Sequence, residues 1–293
     1  MSDSKNETTS ANANIIEAWN TVLFDKFTTY KHLLVDGLGQ HGSKLFEHVP
    51  PVKNSSILDI GCGFGDTSAQ LAERVGTLGS VVGVDCAPNF IRESERLRDK
   101  EGLLNLSFLC ADVQSESLGE NYDAAYSRFG TMFFTSPVAA LRNVHASLKP
   151  GGTLAMSVWR KREDNPCFYV AQQTVEKFVK EEDKATDQVT CGPGPFSMAG
   201  ADMVSDQLLA AGFTDINFMR FDAPMCIGHT VDEALDFSRD MGPAGESLRL
   251  AKEKAAHLQD TIEQALREAL SAFIVDGKVW ATSSTWLVTA VKA

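Results

Sequence analysis

A glycine-rich turn after a short apolar run is the strongest chemical signal in this sequence of 293 residues. The run Ile57 to Ile60 is typical of a buried parallel strand, and it leads into Gly61, Gly63 and Gly65. Glycines at this spacing allow a sharp turn and bring backbone N–H groups close to a ligand. Asp66 occupies the position where the dinucleotide fingerprint G-x-G-x-x-G has its third glycine. The turn therefore predicts a nucleotide site and disfavours a pyrophosphate ligand.

Two carboxylates follow the next two predicted strands. Asp85 ends the run Ser80 to Asp85, and an acidic side chain at this point accepts hydrogen bonds from ribose hydroxyls. Asp112 follows the predicted strand Leu106 to Cys110, and we expect it to accept a hydrogen bond from an exocyclic adenine amine. Open α/β sheets bind ligands at the carboxyl ends of their strands. The two carboxylates and the glycine turn therefore indicate one site for an adenosine-containing ligand.

Together these motifs resemble those of class I S-adenosylmethionine-dependent methyltransferases. The general matches are DIGCGFG at 59–65, GVD at 83–85, AD at 111–112 and LKPGG at 148–152. Narrower matches to bacterial small-molecule methyltransferases related to the ubiquinone/menaquinone C-methyltransferases are SRFGTMFF at 127–134, SVWR at 157–160 and GPGPFSMA at 192–199. The resemblance implies a Rossmann-like, doubly wound α/β sheet, mostly parallel with an antiparallel last strand, and S-adenosyl-L-methionine as cofactor.

The resemblance also implies roles for individual residues. We expect Asp59 and Gly61 near the methionine moiety, Asp85 at the ribose and Asp112 at the adenine. Backbone contacts beside the reacting centre are expected from Ser127 to Phe129. The complete expected cofactor-binding set is Asp59, Gly61, Cys62, Gly63, Asp85, Cys86, Ala111, Asp112, Val113, Ser127, Arg128 and Phe129.

Methyl transfer by in-line displacement needs alignment of the acceptor and exclusion of water more than a fixed catalytic triad. If the acceptor is a hydroxyl, a base helps, and His32 and His229, which lie in candidate capping segments, are the better base candidates. Arg128 could pair with an acidic substrate group. The predicted substrate pocket consists of Trp19, Phe27, Tyr30, Phe129 and Phe133. The spacing of His, Asp and Glu along the chain gives no metal-ligand motif, so no metal is expected.

Two other functions stay open at this point. A nicotinamide oxidoreductase on a similar sheet is disfavoured by Asp66 and Asp112, and a non-catalytic cofactor-binding protein leaves too small a residue signature to exclude. Nucleobase and glutamine methylation is associated with an Asn/Asp-Pro-Pro-aromatic motif after the fourth strand, where this chain has Ser127-Arg128-Phe129-Gly130. A small, partly apolar acceptor is therefore preferred to a macromolecule.

Composition limits the partners and the compartment. The formal net charge of -12 argues against nucleic acid as a partner, because such binding depends on clustered Lys and Arg. The six cysteines form no C-x-x-C pair or zinc-finger spacing, and no apolar run is long enough to span a bilayer. With no signal-peptide core at the N-terminus, we expect a cytoplasmic protein with reduced thiols. A homodimer is compatible with the sequence.

The predicted organisation has five parts: a disordered tail at 1–13, an N-terminal helical lid at 14–49, a Rossmann-like core at 50–230 with an insertion near 161–200, a helical cap at 231–278, and a final core strand at 279–293. In the cap, Leu258, Ile262, Ala265 and Ala269 have the spacing of one long amphipathic helix. We expect the lid and the segment Met241 to Phe273 to select the substrate.

Overall fold

The structure is a computed structural model, and it describes residues 12–179 and 193–293. The predicted disordered tail lies outside the described residues except for Asn12 and Ala13, which are helical. Cys191 and Gly192 also lie outside them. No helix in these two ranges is long and apolar enough to cross a membrane.

Eight strands form one mixed sheet in the described chain: β1 (Ser56–Ile60), β2 (Ser80–Asp85), β3 (Leu106–Cys110), β4 (Tyr122–Arg128), β5 (Leu148–Trp159), β6 (Phe213–Gly228), β7 (Ile274–Val275) and β8 (Lys278–Lys292). The order across the sheet is β3-β2-β1-β4-β5-β8-β6, with the short β7 paired to β8. Strands β1 to β5 pair in parallel, whereas β8 is antiparallel to β5 and β6. The predicted fold class, a mostly parallel sheet with an antiparallel last strand, is confirmed.

Helices cover both faces of this sheet. They are α1 (residues 12–29, with a π-helical turn at Trp19–Leu23), α2 (Lys31–His48), α3 (Asp66–Val75), α4 (Pro88–Glu101), α5 (Pro137–Ser147), α6 (Pro166–Val179), α7 (Ala201–Ala211), α8 (Val231–Asp240), α9 (Gly242–His257) and α10 (Gln259–Ser271). Burial on both faces explains why β1 is apolar at Ile57, Leu58 and Ile60. Ile57 packs in one core with Leu71 and Val75 of α3, and Leu58 packs in the opposite core.

The two longest strands of the described sheet are β6, with 16 residues, and β8, with 15 residues. The two strands form one long antiparallel pair, from Phe213 opposite Lys292 to Gly228 opposite Val279. The many polar residues in this pair obscure the alternating β pattern in the sequence. Backbone pairing between the two strands stabilises these segments as strands although their sequence pattern is weak.

The predicted N-terminal helix is divided at Tyr30. This residue leaves the helical conformation at φ -102° and ψ 18°, and α2 begins after it. The Tyr30 ring packs edge-on against Phe237, and its hydroxyl donates a hydrogen bond to Asp240 Oδ2 at 2.7 Å. These two contacts of Tyr30 therefore attach the N-terminal helices to α8 at the break between α1 and α2.

The observed cap consists of α8, α9 and α10, with breaks at Met241 and Leu258. The amphipathic helix expected from Leu258 to Ala269 corresponds to α10, but its buried face differs from the expected one. The buried face of α10 is Ile262, Leu266 and Leu270, whereas Ala265 and Ala269 are only half-buried. Leucine side chains decide which face of this helix is buried, since they remove more apolar surface from water than alanine does. The cap packs against α6 and β6.

Candidate functional site

A cavity of ≈ 180 Å³ opens at the carboxyl ends of the central strands. One side consists of the glycine turn and the ends of β2 and β4, and the other side consists of α1 and α2. From the helices, the lining residues are Asn12, Ile15, Ile16, Trp19, Phe27, Leu34, Val35 and Leu38. The N-terminal helices thus cover the part of the sheet where the sequence motifs meet.

The three motif glycines have positive φ angles of +66°, +54° and +82° at Gly61, Gly63 and Gly65. A Cβ atom on Gly61 would come within 2.8 Å of Gly130 Cα, so close backbone packing excludes a side chain there. A Cβ atom on Gly63 would meet nothing within 4 Å. Gly63 lines the cavity, so its bare backbone borders space that a ligand can enter.

Asp85 attaches the end of β2 to the glycine turn. Its Oδ2 accepts a hydrogen bond from the Gly63 N–H at 3.1 Å, and its Oδ1 accepts one from the Ala87 N–H at 3.0 Å. Burial raises the pKa of Asp85, while the bonds from Ala87 and Gly63 act against the rise. The carboxylate is therefore held in one orientation at the cavity wall, and each oxygen retains a lone pair for a further donor.

Asp59 lies below the turn and is 1% exposed. It accepts a hydrogen bond from Ser68 Oγ at 2.6 Å. Burial raises the pKa of Asp59 to about 7, although the Ser68 hydroxyl and the charge of Arg128 act in the opposite direction. Arg128 itself forms an ion pair with Asp66, and both side chains are largely buried.

The charges around the cavity are mostly negative. Four of the described lining residues are carboxylic acids, namely Asp59, Asp66, Asp85 and Asp112, whereas Arg128 is the one basic residue in that described lining. An excess of carboxylates favours a cationic ligand and disfavours a polyphosphate one. The same arrangement leaves Arg128 as the partner for a single carboxylate on the ligand.

Helix α2 packs against the aliphatic stem of Arg128. A Cβ atom on Gly42 would come within 3.2 Å of Arg128 Cδ, so the arginine stem passes directly over this glycine. The neighbouring His41 is fully buried and contacts the hydroxyls of Ser283 and Thr285 at 2.7 and 3.0 Å. Burial and the charge of Arg128 lower the pKa of His41 to about 4, which keeps this histidine neutral.

Asp112 contacts the beginning of α1 through a pair of side-chain amides. Its carboxylate accepts hydrogen bonds from Asn12 Nδ2, from the Gln114 N–H at 3.0 Å and from Ser115 Oγ at 3.0 Å. Gln114 Nε2 also donates to Asn12 Oδ1 at 3.0 Å. The sequence analysis did not identify Asn12 or Gln114, because Asn12 falls in a polar segment without periodicity.

Phe129 begins the apolar wall of the cavity. Its φ of +61° is uncommon for a residue with a side chain, and its N–H donates to Ser157 O at 2.9 Å. The ring stacks on Trp159 with centroids 4.4 Å apart and an interplanar angle of 29°. This backbone conformation directs the chain after β4 towards Phe133, whose ring lies 4.8 Å from that of Trp19.

Five of the residues expected at the site are not part of the described cavity lining. Tyr30, Ala111 and Ser127 are buried beside the described cavity lining and not in it; Tyr30 bonds to Asp240 and Ser127 Oγ donates to Ile60 O at 2.9 Å. His32 and His229 lie outside that lining, next to Glu233. The cap segment 231–278 also contributes no residue to the described lining.

The remaining expected site residues do line the cavity: Asp59, Gly61, Cys62, Gly63, Asp85, Cys86, Asp112, Val113, Arg128, Phe129, Trp19, Phe27 and Phe133. Burial raises the pKa of Cys86 to about 12 and that of Cys62 well above its usual value. Both thiols are therefore protonated at neutral pH, as expected for compact lining residues and not for nucleophiles.

Known proteins match this chain over the region that carries the sequence motifs. A family model described as "Methyltransferase domain" matches residues 57–152. Aklanonic acid methyltransferase DauC of Streptomyces is 32% identical over 139 residues, 47% of this chain and 63% of the relative. The 2-phytyl-1,4-naphtoquinone methyltransferase of Nostoc is 30% identical over 158 residues, 52% of this chain and 69% of the relative.

Further matches extend the same pattern. UbiE of Yersinia enterocolitica, a ubiquinone/menaquinone biosynthesis C-methyltransferase, is 33% identical over 111 residues, 37% of this chain and 44% of the relative. The crystal structure of YcgJ from Bacillus has the same fold, with a TM-score of 0.56 at 16% identity, covering 86% of this chain and 98% of that chain. The chain belongs to the class I S-adenosylmethionine-dependent methyltransferases, so the predicted resemblance is confirmed.

Proposed function

We propose that this protein transfers the methyl group of S-adenosylmethionine to a small, apolar, planar acceptor. The observation that carries the proposal is the single cavity that joins the glycine turn and its carboxylates to an aromatic wall. The chain spans 63% of the length of DauC and 44% of that of UbiE. The activity of those whole proteins is therefore part of the proposal for this chain.

The residues present fit the proposed cofactor. Gly63 leaves open space at the turn for a ligand. Carboxylates outnumber basic residues in the described cavity lining, and this excess of negative charge suits a ligand with a sulfonium and an ammonium group. In this proposal Asp85 holds the ribose, Asp112 the adenine side, Asp59 and Gly61 the methionine side, and Arg128 the ligand carboxylate. When bound, the cofactor supplies an electrophilic methyl carbon on a good leaving group.

The same charge balance disfavours the oxidoreductase alternative. A nicotinamide dinucleotide carries a negatively charged pyrophosphate, which the carboxylates of Asp59, Asp66 and Asp85 would repel. Arg128 is the one basic residue of the described cavity lining that could offset this repulsion. The matches to named methyltransferases do not support that alternative either.

The acceptor class follows from the apolar side of the cavity. Trp19, Phe27, Phe129 and Phe133 offer ring faces and edges, which pack well on a flat conjugated molecule. Three relatives are named for aklanonic acid, 2-phytyl-1,4-naphtoquinone and ubiquinone or menaquinone, and the last three names denote quinones. We therefore place a planar aromatic or quinone-like acceptor first.

In this proposal the protein acts by alignment and by exclusion of water. Helices α1 and α2 border the cavity with aliphatic and aromatic side chains, and in this proposal these side chains keep water from the reacting centre. His32 and His229, the base candidates of the sequence analysis, lie outside the described lining. An acceptor that ionises readily, such as a phenol or an activated carbon acid, suits a site of this kind.

The proposed activity is tested by incubating the purified protein with deuterated-methyl S-adenosylmethionine and a set of hydroxylated naphthoquinones and anthraquinones. We expect one labelled methyl group in a product detected by mass spectrometry. Binding of S-adenosylhomocysteine without transfer to any of these compounds or to a metabolite extract would support the non-catalytic alternative. Binding of NADH in preference to S-adenosylhomocysteine would contradict the proposal.

The pKa of Asp59 predicts a pH dependence that distinguishes the sulfonium from the sulfide. Because burial raises this pKa to about 7, Asp59 ionises between pH 6 and pH 8. S-adenosylmethionine carries a positive sulfur and S-adenosylhomocysteine does not. As the pH rises through this range, Asp59 becomes negatively charged and attracts the positive sulfur. We therefore expect calorimetric titrations to show that the affinity for S-adenosylmethionine, relative to that for S-adenosylhomocysteine, increases several-fold from pH 6 to pH 8.

Asp59→Asn provides the control for this prediction, because it removes the titration and retains a polar side chain. We expect the affinity ratio to become nearly independent of pH in this variant. The folded-state pKa is raised, so in the ligand-free protein the stability from Asp59 is present below about pH 4 and is lost as the pH rises through about 7. An unchanged pH profile in Asp59→Asn would remove Asp59 from the methionine side of the site.

Further parts of the proposal concern partners and compartment. The net charge of -12 supports the absence of specific RNA or DNA binding near physiological salt, which a gel-shift titration tests. A cytoplasmic location and a homodimer are further parts of the proposal. Analytical ultracentrifugation measures the oligomeric state.

A further inference from the structure

Two histidines and a glutamate from distant parts of the sequence meet outside the described cavity lining. His32 lies in the first turn of α2, His229 lies just before α8, and Glu233 lies in the first turn of α8. His32 and Glu233 are separated by 201 residues, so their proximity cannot be seen from sequence spacing. One ligand atom from each of the three residues lies within 4.8 Å of the others.

The separations between these atoms suit a small tetrahedral metal site. His32 Nε2 lies 2.8 Å from Glu233 Oε1, and His229 Nδ1 lies 3.9 Å from Glu233 Oε2. In a zinc site with ligand distances of about 2.0–2.2 Å, neighbouring ligand atoms are roughly 3.3–3.6 Å apart. The observed distances lie on both sides of this range, so small side-chain rotations bring all three atoms onto one ion. The two imidazole rings are already adjacent, with centroids 5.5 Å apart.

Glu233 is fixed in place by the beginning of α8. Its N–H donates to Thr230 Oγ1 at 3.1 Å, and its Oε2 accepts a hydrogen bond from the His229 N–H at 2.5 Å. This arrangement is similar to a helix capping box, except that the glutamate accepts from the residue before the N-cap Thr230, and it holds both the glutamate and the backbone of His229. Glu233 Oε1 lies 2.8 Å from His32 Nε2, so contacts on both carboxylate oxygens hold the side chain in one orientation.

The surroundings favour a cation. Asp236 and Asp240 follow Glu233 on the same face of α8, and all three charges act on the hydroxyl of Tyr30. His229 Nδ1 makes no hydrogen bond within 12–179 and 193–293, so it is free to bind an ion. His32 and His229 are 44% and 50% exposed in their side chains, which gives a metal ion in solution direct access.

We propose that His32, His229 and Glu233 form a binding site for Zn²⁺ or a similar imidazole-preferring divalent transition metal, with water as the fourth ligand. Two imidazoles and one carboxylate are ligands that Zn²⁺ accepts. The ion connects α2 to the first turn of α8, on the same side as the bond between Tyr30 and Asp240. Leu34, Val35 and Leu38 of α2 line the cavity, so the metal stabilises the helix that covers the proposed methyl-transfer site.

The test uses the full chain without an affinity tag, because a histidine tag binds the same metals. Calorimetric titration with ZnCl₂ is expected to show one site whose affinity falls about tenfold or more, about 1.4 kcal/mol, in His32→Ala and in His229→Ala. Glu233→Gln should weaken binding similarly while retaining an acceptor for the His229 N–H. His257→Ala is the matched control, because His257 is exposed and lies at the far end of α9.

A thermal readout separates a metal site from a simple hydrogen bond. ZnCl₂ should raise the unfolding temperature of the parent protein and of His257→Ala, and it should have a much smaller effect in His32→Ala and His229→Ala. Equal Zn²⁺ affinity in the parent and in both histidine variants would overturn the proposal, since the thiols or carboxylates elsewhere would then be the ligands. Absence of Zn²⁺ binding in the parent would overturn it as well.

Discussion

Replacing Gly63 with valine is expected to reduce the affinity for S-adenosylhomocysteine by about hundredfold or more, which corresponds to about 2.7 kcal/mol. The φ of +54° at Gly63 is unfavourable for a β-branched side chain, and the open space next to its Cα belongs to the cavity. A valine at this position fills the space and displaces the backbone N–H that donates a hydrogen bond to Asp85. Isothermal titration calorimetry with S-adenosylhomocysteine measures the loss.

Gly102→Val supplies a matched control for the backbone effect. Gly102 has a φ of +66° and also has nothing within 4 Å of a built Cβ, but it ends α4 outside the described cavity lining. We expect this variant to lose about 1 kcal/mol of stability and to bind the ligand with unchanged affinity. If Gly63→Val is folded by circular dichroism and binds as well as Gly102→Val, the glycine turn is not the ligand cradle.

The sequence predicted the motif side of the site well because the information there is local. A strand, a glycine turn and an acidic residue at the end of the next strand are consecutive in the chain, and the parallel sheet brings their ends together. Asp59, Gly63 and Asp85 accordingly line one cavity. Only short-range chain geometry and one topological rule were needed for this inference.

The covering side of the site was predicted less well because it depends on long-range packing. The N-terminal segment was expected to act as a lid, and its residues do line the cavity, but Tyr30 turns away to Asp240 and Asn12 reaches Asp112. The cap was expected to take part in substrate selection. Within the described chain, its apolar residues Ile262, Leu266 and Leu270 belong to the main core and do not line the cavity.

This packing changes the expected effect of removing the cap. Amphipathic periodicity shows that one face of a helix is buried, but it does not show whether that face meets a core or a ligand. Replacement of Met241 to Phe273 by a short linker would remove the core side chains of α10 and expose the core residues that they cover, so loss of folding is the expected result. Substrate selection is better tested in α1 and α2, whose residues border the cavity.

Replacing Arg128 with methionine is expected to weaken S-adenosylhomocysteine binding about tenfold to hundredfold and to destabilise the protein. The side chains of Arg128 and Asp66 are only 13% and 17% exposed, and removal of one member of a buried pair typically costs about 3–5 kcal/mol. The affinity loss has a separate cause, because a charged hydrogen bond to the ligand carboxylate is worth about 1.5–3 kcal/mol. Stability and binding are measured by chemical denaturation and by calorimetry.

The double variant Arg128→Met with Asp66→Asn separates these two roles of the arginine. Neutralising Asp66 removes the unpaired buried charge, so the double variant should recover much of the stability that Arg128→Met loses. It should not recover binding if Arg128 holds the ligand carboxylate, since asparagine at position 66 supplies no positive charge. Recovery of both stability and affinity would show that Arg128 acts only by neutralising Asp66, and the ligand carboxylate would then need another partner.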